Sequence, residues 1–480
     1  MSLSYALNLQ SMLYCQTLVC KAFFSLNSQE LPEVFEDNMQ AWMEEFRKYL
    51  AYENEALKEV DAEKASVVDD VKAAICENVS LYMSKNEEEF TPYLQGFVGD
   101  IWGLLLKVTL QANQDKLAMS AIRFLTTVSK SVSHSLFGQD DALTSICEKV
   151  IVPNLRIREE DEELFEMNPI EYIRRDMEGS DSDTRRRAAS ELVKGLLEHY
   201  QERVTQLFSG YVGSLLQQYG SNNADWKAKD CAVFLVIALT VRGRTAAQGA
   251  TATNQLVNIV EFFQTHVMPE LAAQDKNSLP FLKADSLKFL ITFRTQIPKA
   301  GVILVLPSII ALLTAESNVV HSYAAQCLER LLVLKEPGTS QLRFTPQDFA
   351  PAMSSVLTGL FGALQLADST ENEYVMKAVM RCIMFMESAF KDYAQLCLSE
   401  LIKILQIVCQ NPKQPGFNHY LFESIAALLK HAGAMDLLTA FEELLFPSFM
   451  QILQEDNEQF APYVFLLLSH MVEKVAGKHM

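Results

Sequence analysis

Proline and glycine are scarce in this 480-residue chain, 15 and 18 residues. Almost no stretch alternates Val, Ile and Thr with polar residues, so strands have little support. Long apolar runs are missing too. The longest, Gly301 to Ala315, contains Pro307 and falls short of the roughly 20 residues a membrane span needs. No basic residue precedes the N-terminal apolar stretch, the first lysine being Lys21, which argues against a secretory signal. The cysteines (Cys15, Cys20, Cys76, Cys147, Cys231, Cys327, Cys382, Cys397 and Cys409) form an odd, scattered set without a Cys-x-x-Cys pair. That spacing speaks against a zinc site and a disulfide framework, and for a reduced intracellular protein. Positive charge is the minority sign, 41 basic against 60 acidic residues for a net −19. This disfavours nucleic acid as the main partner and favours either basic protein surfaces or simple solubility.

Catalytic signatures are absent as well. The chain has no Walker A loop, no G-x-S-x-G elbow, no G-x-G-x-x-G and no H-E-x-x-H. His419 and Glu423 lie four apart on an expected helix, a spacing far more often structural than metal-binding. His266 and His321 are placed near helix ends or surfaces with no partner pattern. Neither an enzyme nor a bound cofactor or metal is expected.

What the chain does have is apolar material, 49% of residues against 21% charged, arranged with helical spacing. Val320, Tyr323, Ala324, Cys327, Leu328 and Leu331 form one stripe at i, i+3, i+4, i+7, i+8 and i+11. Val375, Ala378, Val379, Cys382, Ile383 and Met386 form another, and shorter versions run through Leu117, Ala121, Phe124, Leu125 and Val128 and through Ala189, Leu192, Val193, Leu196 and Leu197. Small residues mark these helices at Ala74, Ala121, Ala188, Ala232, Ala284, Ala324, Ala378 and Ala426. Their intervals are roughly 40 to 54 residues, with one of about 67, the period of HEAT or armadillo units. Segments around Pro269 and Pro307 precede two of the landmarks and are expected to bend the first helix of a pair. The predicted fold is all-α, a HEAT-repeat solenoid of stacked antiparallel helix pairs.

The long interval coincides with the most polar part of the chain. We place HEAT repeats at 1–155 and 184–480 and a charged insertion within one repeat at 156–183. Its acidic half holds Glu159, Glu160, Asp161, Glu162 and Glu163; beyond it lie Arg174, Arg175, Asp176, Glu178, Asp181 and Asp183, then Arg185, Arg186 and Arg187. Asp181 or Asp183 is expected to cap the helix beginning near Thr184. The arginines are expected to pair with carboxylates of the same segment, and the whole group stands as a partner contact or hinge, against the plainer reading of a self-neutralised surface loop. Neither end of the chain carries a polar capping repeat, which suits an internal section of a longer array.

Particular strings go beyond periodicity. Glu171-Tyr-Ile-Arg-Arg-Asp-Met-Glu-Gly-Ser-Asp181, Thr184-Arg-Arg-Arg-Ala-Ala189, Leu31-Pro-Glu-Val-Phe-Glu-Asp-Asn-Met39, Leu143-Thr-Ser-Ile-Cys-Glu-Lys-Val-Ile-Val-Pro-Asn154, Phe208-Ser-Gly-Tyr-Val-Gly213, Glu371-Asn-Glu-Tyr-Val-Met-Lys-Ala378 and Phe417-Asn-His-Tyr-Leu-Phe-Glu423 resemble, in order, the middle of the importin-β-type karyopherins that act as exportins of importin-α. The resemblance implies a non-enzymatic nuclear transport receptor shuttling between nucleus and cytoplasm. It implies binding of importin-α together with Ran-GTP, the nucleotide belonging to Ran, and contact with nuclear pore proteins; no nucleic acid and no membrane insertion are expected, on the charge balance and the short apolar runs. The charged insertion is, by the same resemblance, tied to control of closure around the partners. The family's terminal repeats have no counterpart here, so a HEAT scaffold acting without Ran stands as the alternative.

Overall fold

A computed structural model describes residues 3–57, 61, 64–178, 184–432, 435–454 and 457–476. The chain divides into two compact units, Met1–Val241 with Asn254–Val257, and Arg242–Thr253 with Asn258–Met480. Both are built of paired helices.

In the first unit Val67–Lys85, Asp115–Lys130, Arg185–Ser221 and Trp226–Thr240 pack one on the next, with Leu3–Asn27 against the first of them. Met39–Ala51 and Glu87–Leu105 lie against this row. The second unit repeats the scheme with Pro280–Phe293, Asn318–Leu332, Glu373–Met386 and Pro415–Ala432, backed by Lys299–Leu312, Met353–Ala363, Ala394–Gln410 and Met435–Gln454.

The landmark alanines sit in these rows because the close approach of two helices leaves room for little more than a methyl group. Ala74, Ala121, Ala232, Ala284, Ala324 and Ala378 are at most 2% exposed. Ala188 and Ala426 are only half-buried, and their neighbours Ala189 and Ala427 make the contact instead. All four apolar stripes are buried along their length. Eight cysteines are buried, Cys15 is exposed, and all nine are free thiols.

Both quoted prolines lie in helical stretches. Ahead of Pro269 the helix widens into a π turn at Phe263–Val267, because the missing N–H breaks the regular ladder. Pro307, by contrast, lies inside the continuous Lys299–Leu312 helix. Strands were not expected, yet Val241–Thr245 and Gly249–Thr253 pair as a hairpin. The hairpin is docked by the end of the Pro280–Phe293 helix: Arg294 donates to the Ala246 carbonyl at 2.8 Å and Gln296 to that of Ala250 at 2.7 Å. Gly249, with φ of +78°, lets the turn approach that helix end; a Cβ there would meet the Thr292 carbonyl oxygen at 2.4 Å.

Candidate functional site

The charged segment forms two short helices, Glu159–Met167 and Pro169–Ile173, the second running on as a π turn over Arg174–Glu178. Each has an apolar keel: Phe165, Tyr172 and Ile173 are buried, with Phe165 and Tyr172 edge to face at 4.9 Å. The first turn of Glu159–Met167 carries four acids, where carboxylates favour the partial positive charge of a helix start. Asp161 accepts the Arg158 backbone N–H at 3.0 Å. Glu159, Glu160 and Glu163 remain exposed, while Asp161 and Glu162 are half-buried.

Both ends of the segment are tied to one carboxylate. Asp115, first residue of the Asp115–Lys130 helix, accepts from Arg158 at 2.7 and 3.1 Å and from Arg185 at 2.6 Å. Arg185 also donates to the carbonyls of Thr109 (2.8 Å) and Gln111 (3.0 Å), and Arg158 to that of Leu110 (3.1 Å). Such forked donation suits guanidinium, whose several N–H groups point in fixed directions. Arg185 is 2% exposed. Burial pushes its pKa below the ordinary guanidinium value, with Asp115 opposing and the second arginine adding to the effect. For Arg158 burial is outweighed by Asp115 and Asp161, and its pKa is raised.

A second set of contacts joins the segment to the Trp226–Thr240 helix. Arg186 donates to Asp230, a fully buried carboxylate, at 2.6 Å, and its guanidinium lies 3.4 Å from the centre of the Phe234 ring. Lys227 pairs with Glu162.

The expectation that the arginines pair within the segment therefore needs correction. Arg175 does so, with Glu171 one turn earlier at 2.7 Å. Arg185 and Arg186 reach carboxylates of neighbouring repeats, because Asp115 and Asp230 lie on the helices against which Arg185–Ser221 packs, whereas Glu159, Glu160 and Glu163 face solvent. The cap of that helix is Thr184, which accepts the Arg187 N–H at 3.2 Å; the Arg187 side chain is exposed, as is that of Arg174, while Asp176 is half-buried. Asp181 and Asp183, and the side chain of Glu178, lie outside the described residues. Arg158, Asp115, Asp230 and Lys227 were not singled out from the sequence. Their only local signal is a helix-start acid at 115, which says nothing of a partner 43 or 70 positions away.

Among the described residues no group of three or more His, Cys, Asp or Glu side chains is placed to hold a metal ion, and no helix is long and apolar enough to cross a membrane. His321 lies near a helix end, in the first turn of Asn318–Leu332, but inside the protein and not at its surface. It is 1% exposed, with Nδ1 at 3.0 Å from the Ala315 carbonyl and Nε2 at 2.9 Å from the Ser369 hydroxyl. A carbonyl only accepts, so Nδ1 carries the proton and Nε2 accepts from serine. Burial lowers its pKa from 6.5.

With this geometry in place, comparison with known proteins is decisive. The family model described as Cse1 matches residues 4–328, and the one described as CAS/CSE protein, C-terminus, matches 329–480. The chain belongs to the Cse1 family. Its relatives include exportin-2 of Homo sapiens, 45% identical over 460 residues, and exportin-2 of Pagrus major, 45% identical over 461; each alignment covers 95% of this chain and 47% of the relative. This Cse1-family chain thus spans about half the length of the relatives it matches. A solved structure of the exportin Cse1 in its cargo-free, cytoplasmic state matches with a TM-score of 0.87 at 34% identity, covering 98% of this chain and 50% of that one. Kap121p bound to Nup53p matches with a TM-score of 0.59 at 14% identity, over 93% of this chain and 39% of the other, and shares the HEAT-type fold.

Proposed function

We propose that the chain acts as the central part of a nuclear export receptor, binding importin-α cooperatively with Ran-GTP in the nucleus and releasing it in the cytoplasm. The observation that carries this reading is the 45% identity to exportin-2 sustained over 95% of the chain. It acts by enclosing partners and needs neither catalysis nor a cofactor of its own, GTP being held by Ran; it shuttles between the two compartments and meets nuclear pore proteins on the way. Stacked helix pairs suit such work, since small adjustments at many repeat interfaces add up, and two partners that favour the same arrangement share the cost of reaching it.

Within this reading the segment from Glu159 to Glu178, with Arg185, Arg186 and Arg187 behind it, is a partner contact whose acidic residues offer a surface to a basic partner. The buried arginines make it a hinge held at both ends. Supporting this division, Glu159, Glu160 and Glu163 are exposed while Arg158 and Arg185 are committed to Asp115.

Capture of purified importin-α by the 480-residue chain, with and without GTP-locked Ran, tests the proposal. Ran-enhanced capture is the expected result. Capture that ignores the nucleotide state of Ran would instead favour a scaffold that binds proteins independently, a reading kept open by the half-length match to the relatives.

A further inference from the structure

Two neighbouring helices of the second unit, Asn318–Leu332 and Glu373–Met386, pack side by side and keep almost every side chain inside. On the first, only Gln326 and Arg330 are not buried; on the second, only Glu373, Lys377, Arg381 and Met384 are not. Three of these residues are cations. The one acid, Glu373, sets its carboxylate against Gly416, at the start of the Pro415–Ala432 helix.

The cations here outnumber the carboxylates that neutralise them. Glu329, 2% exposed, is shared: Arg381 donates to one of its oxygens from Nε at 3.3 Å and Nη2 at 3.1 Å, and Arg330 lies 3.3 Å from the other. Arg330 also gives an N–H to the Ala246 carbonyl at 3.3 Å. A guanidinium has five N–H groups, and each of these two uses only part of its set while 27% and 24% of its side-chain surface stays exposed. Lys377, one turn before Arg381, lies 5.2 Å from the centre of the Tyr420 ring and has no ion-pair partner among the described residues. Close to Arg330, the buried Arg294 donates only to the carbonyls of Ile291 and Ala246. Burial pushes its pKa down to about 10, and Arg330 adds to the effect. Four cations thus stand against one carboxylate, in a chain whose net charge is −19.

We propose that this strip receives an acidic segment of a partner protein, which sets one carboxylate on Lys377, a second between Arg330 and Arg381 opposite Glu329, and an apolar side chain on Met384. Residues three or four apart on a helix face lie about 5 to 6 Å from one another, near the roughly 7 Å between same-face residues of an extended chain. Acid, acid and apolar side chains at alternate positions of a peptide therefore meet Lys377, Arg381 and Met384 in turn. Met384 is 40% exposed, and its flexible thioether suits an apolar neighbour. That methionine separates a peptide from other anions. A small inorganic anion leaves it uncovered, and nucleic acid brings a string of phosphates to a few cations against the field of a strongly acidic chain. The strip is opposite in sign to the exposed Glu159, Glu160 and Glu163, so the chain offers separate surfaces to basic and acidic segments.

The test uses the full 480-residue chain and three capped peptides: Ac-Ser-Glu-Ser-Glu-Ser-Leu-Ser-NH2, the same peptide with both Glu replaced by Gln, and the same with Leu replaced by Ser. Titration calorimetry at low salt is expected to show the Gln peptide binding about tenfold more weakly than the parent, and the Leu-to-Ser peptide several-fold more weakly. Lys377→Gln and Met384→Gln leave the pairs at Glu329 in place. The first should cut the preference for Glu over Gln about threefold, and the second should remove the preference for Leu over Ser. No binding of the parent peptide, equal binding of all three, preferences that survive both variants, or Lys377-dependent binding of an oligothymidylate where the peptide does not bind would each overturn the proposal. Neither importin-α nor Ran enters the assay, so its failure leaves the transport reading untouched.

Discussion

Asp115 shows how much one side chain organises. It neutralises two arginines, one of them almost wholly buried. Removing one member of a buried ion pair strands the other charge, so Asp115→Ala is expected to cost about 3 to 5 kcal/mol, measured by urea denaturation. Faster limited proteolysis between Arg158 and Arg185 should accompany it. His321 makes a different prediction. Its folded-state pKa lies below the ordinary 6.5, so the unfolded chain binds the proton more readily. Its contribution to stability is full above pH 6.5 and lost as pH falls through 6.5 toward the folded value. The urea midpoint of the unmodified protein should therefore drop between pH 7.5 and 5.5, and His321→Gln should drop less. Neither residue was legible in this role beforehand. The partners of Asp115 lie 43 and 70 positions along the chain, and a lone histidine in a sequence carries no sign of its burial.

Single elements were read more successfully, and the reason is periodicity. An apolar stripe at helical spacing has one low-energy solution, burial against a neighbouring stripe, and all four quoted stripes are buried. The hairpin at Val241–Thr245 and Gly249–Thr253 escaped because its stability is not local. It rests on Arg294, Thr295 and Gln296, some 46 to 48 residues further on. Gly249→Ala puts a methyl group against the Thr292 carbonyl at a left-handed backbone position, and should cost roughly 2 kcal/mol or more, seen as a lowered Tm. The charged segment was read by composition alone. Its charges hid Ile157, Phe165, Tyr172 and Ile173, which fold it into packed helices where a polar surface loop had been the plainer reading.

Taken whole, the chain carries a net charge of −19, with 60 acidic against 41 basic residues. Association with basic partners should accordingly be fast at low salt and slow sharply as the Debye length shrinks from about 10 Å at 0.1 M to about 3 Å at 1 M, with dissociation less affected. Stopped-flow capture across that range checks this. Replacing the exposed Glu159, Glu160 and Glu163 together by lysine should leave stability within about 0.5 kcal/mol per site while reducing capture of importin-α several-fold, whereas unchanged capture would remove these residues from the interface. The tie at Asp115 has one more consequence, for the entropy of the loop it closes. Arg158 and Arg185 fix both exits of the segment at a single carboxylate. Each doubling of the intervening length adds only about 0.6 kcal/mol of closure entropy. Loop length between Arg158 and Arg185 is therefore a weak lever on stability beside the Asp115 tie itself and the buried Phe165, Tyr172 and Ile173.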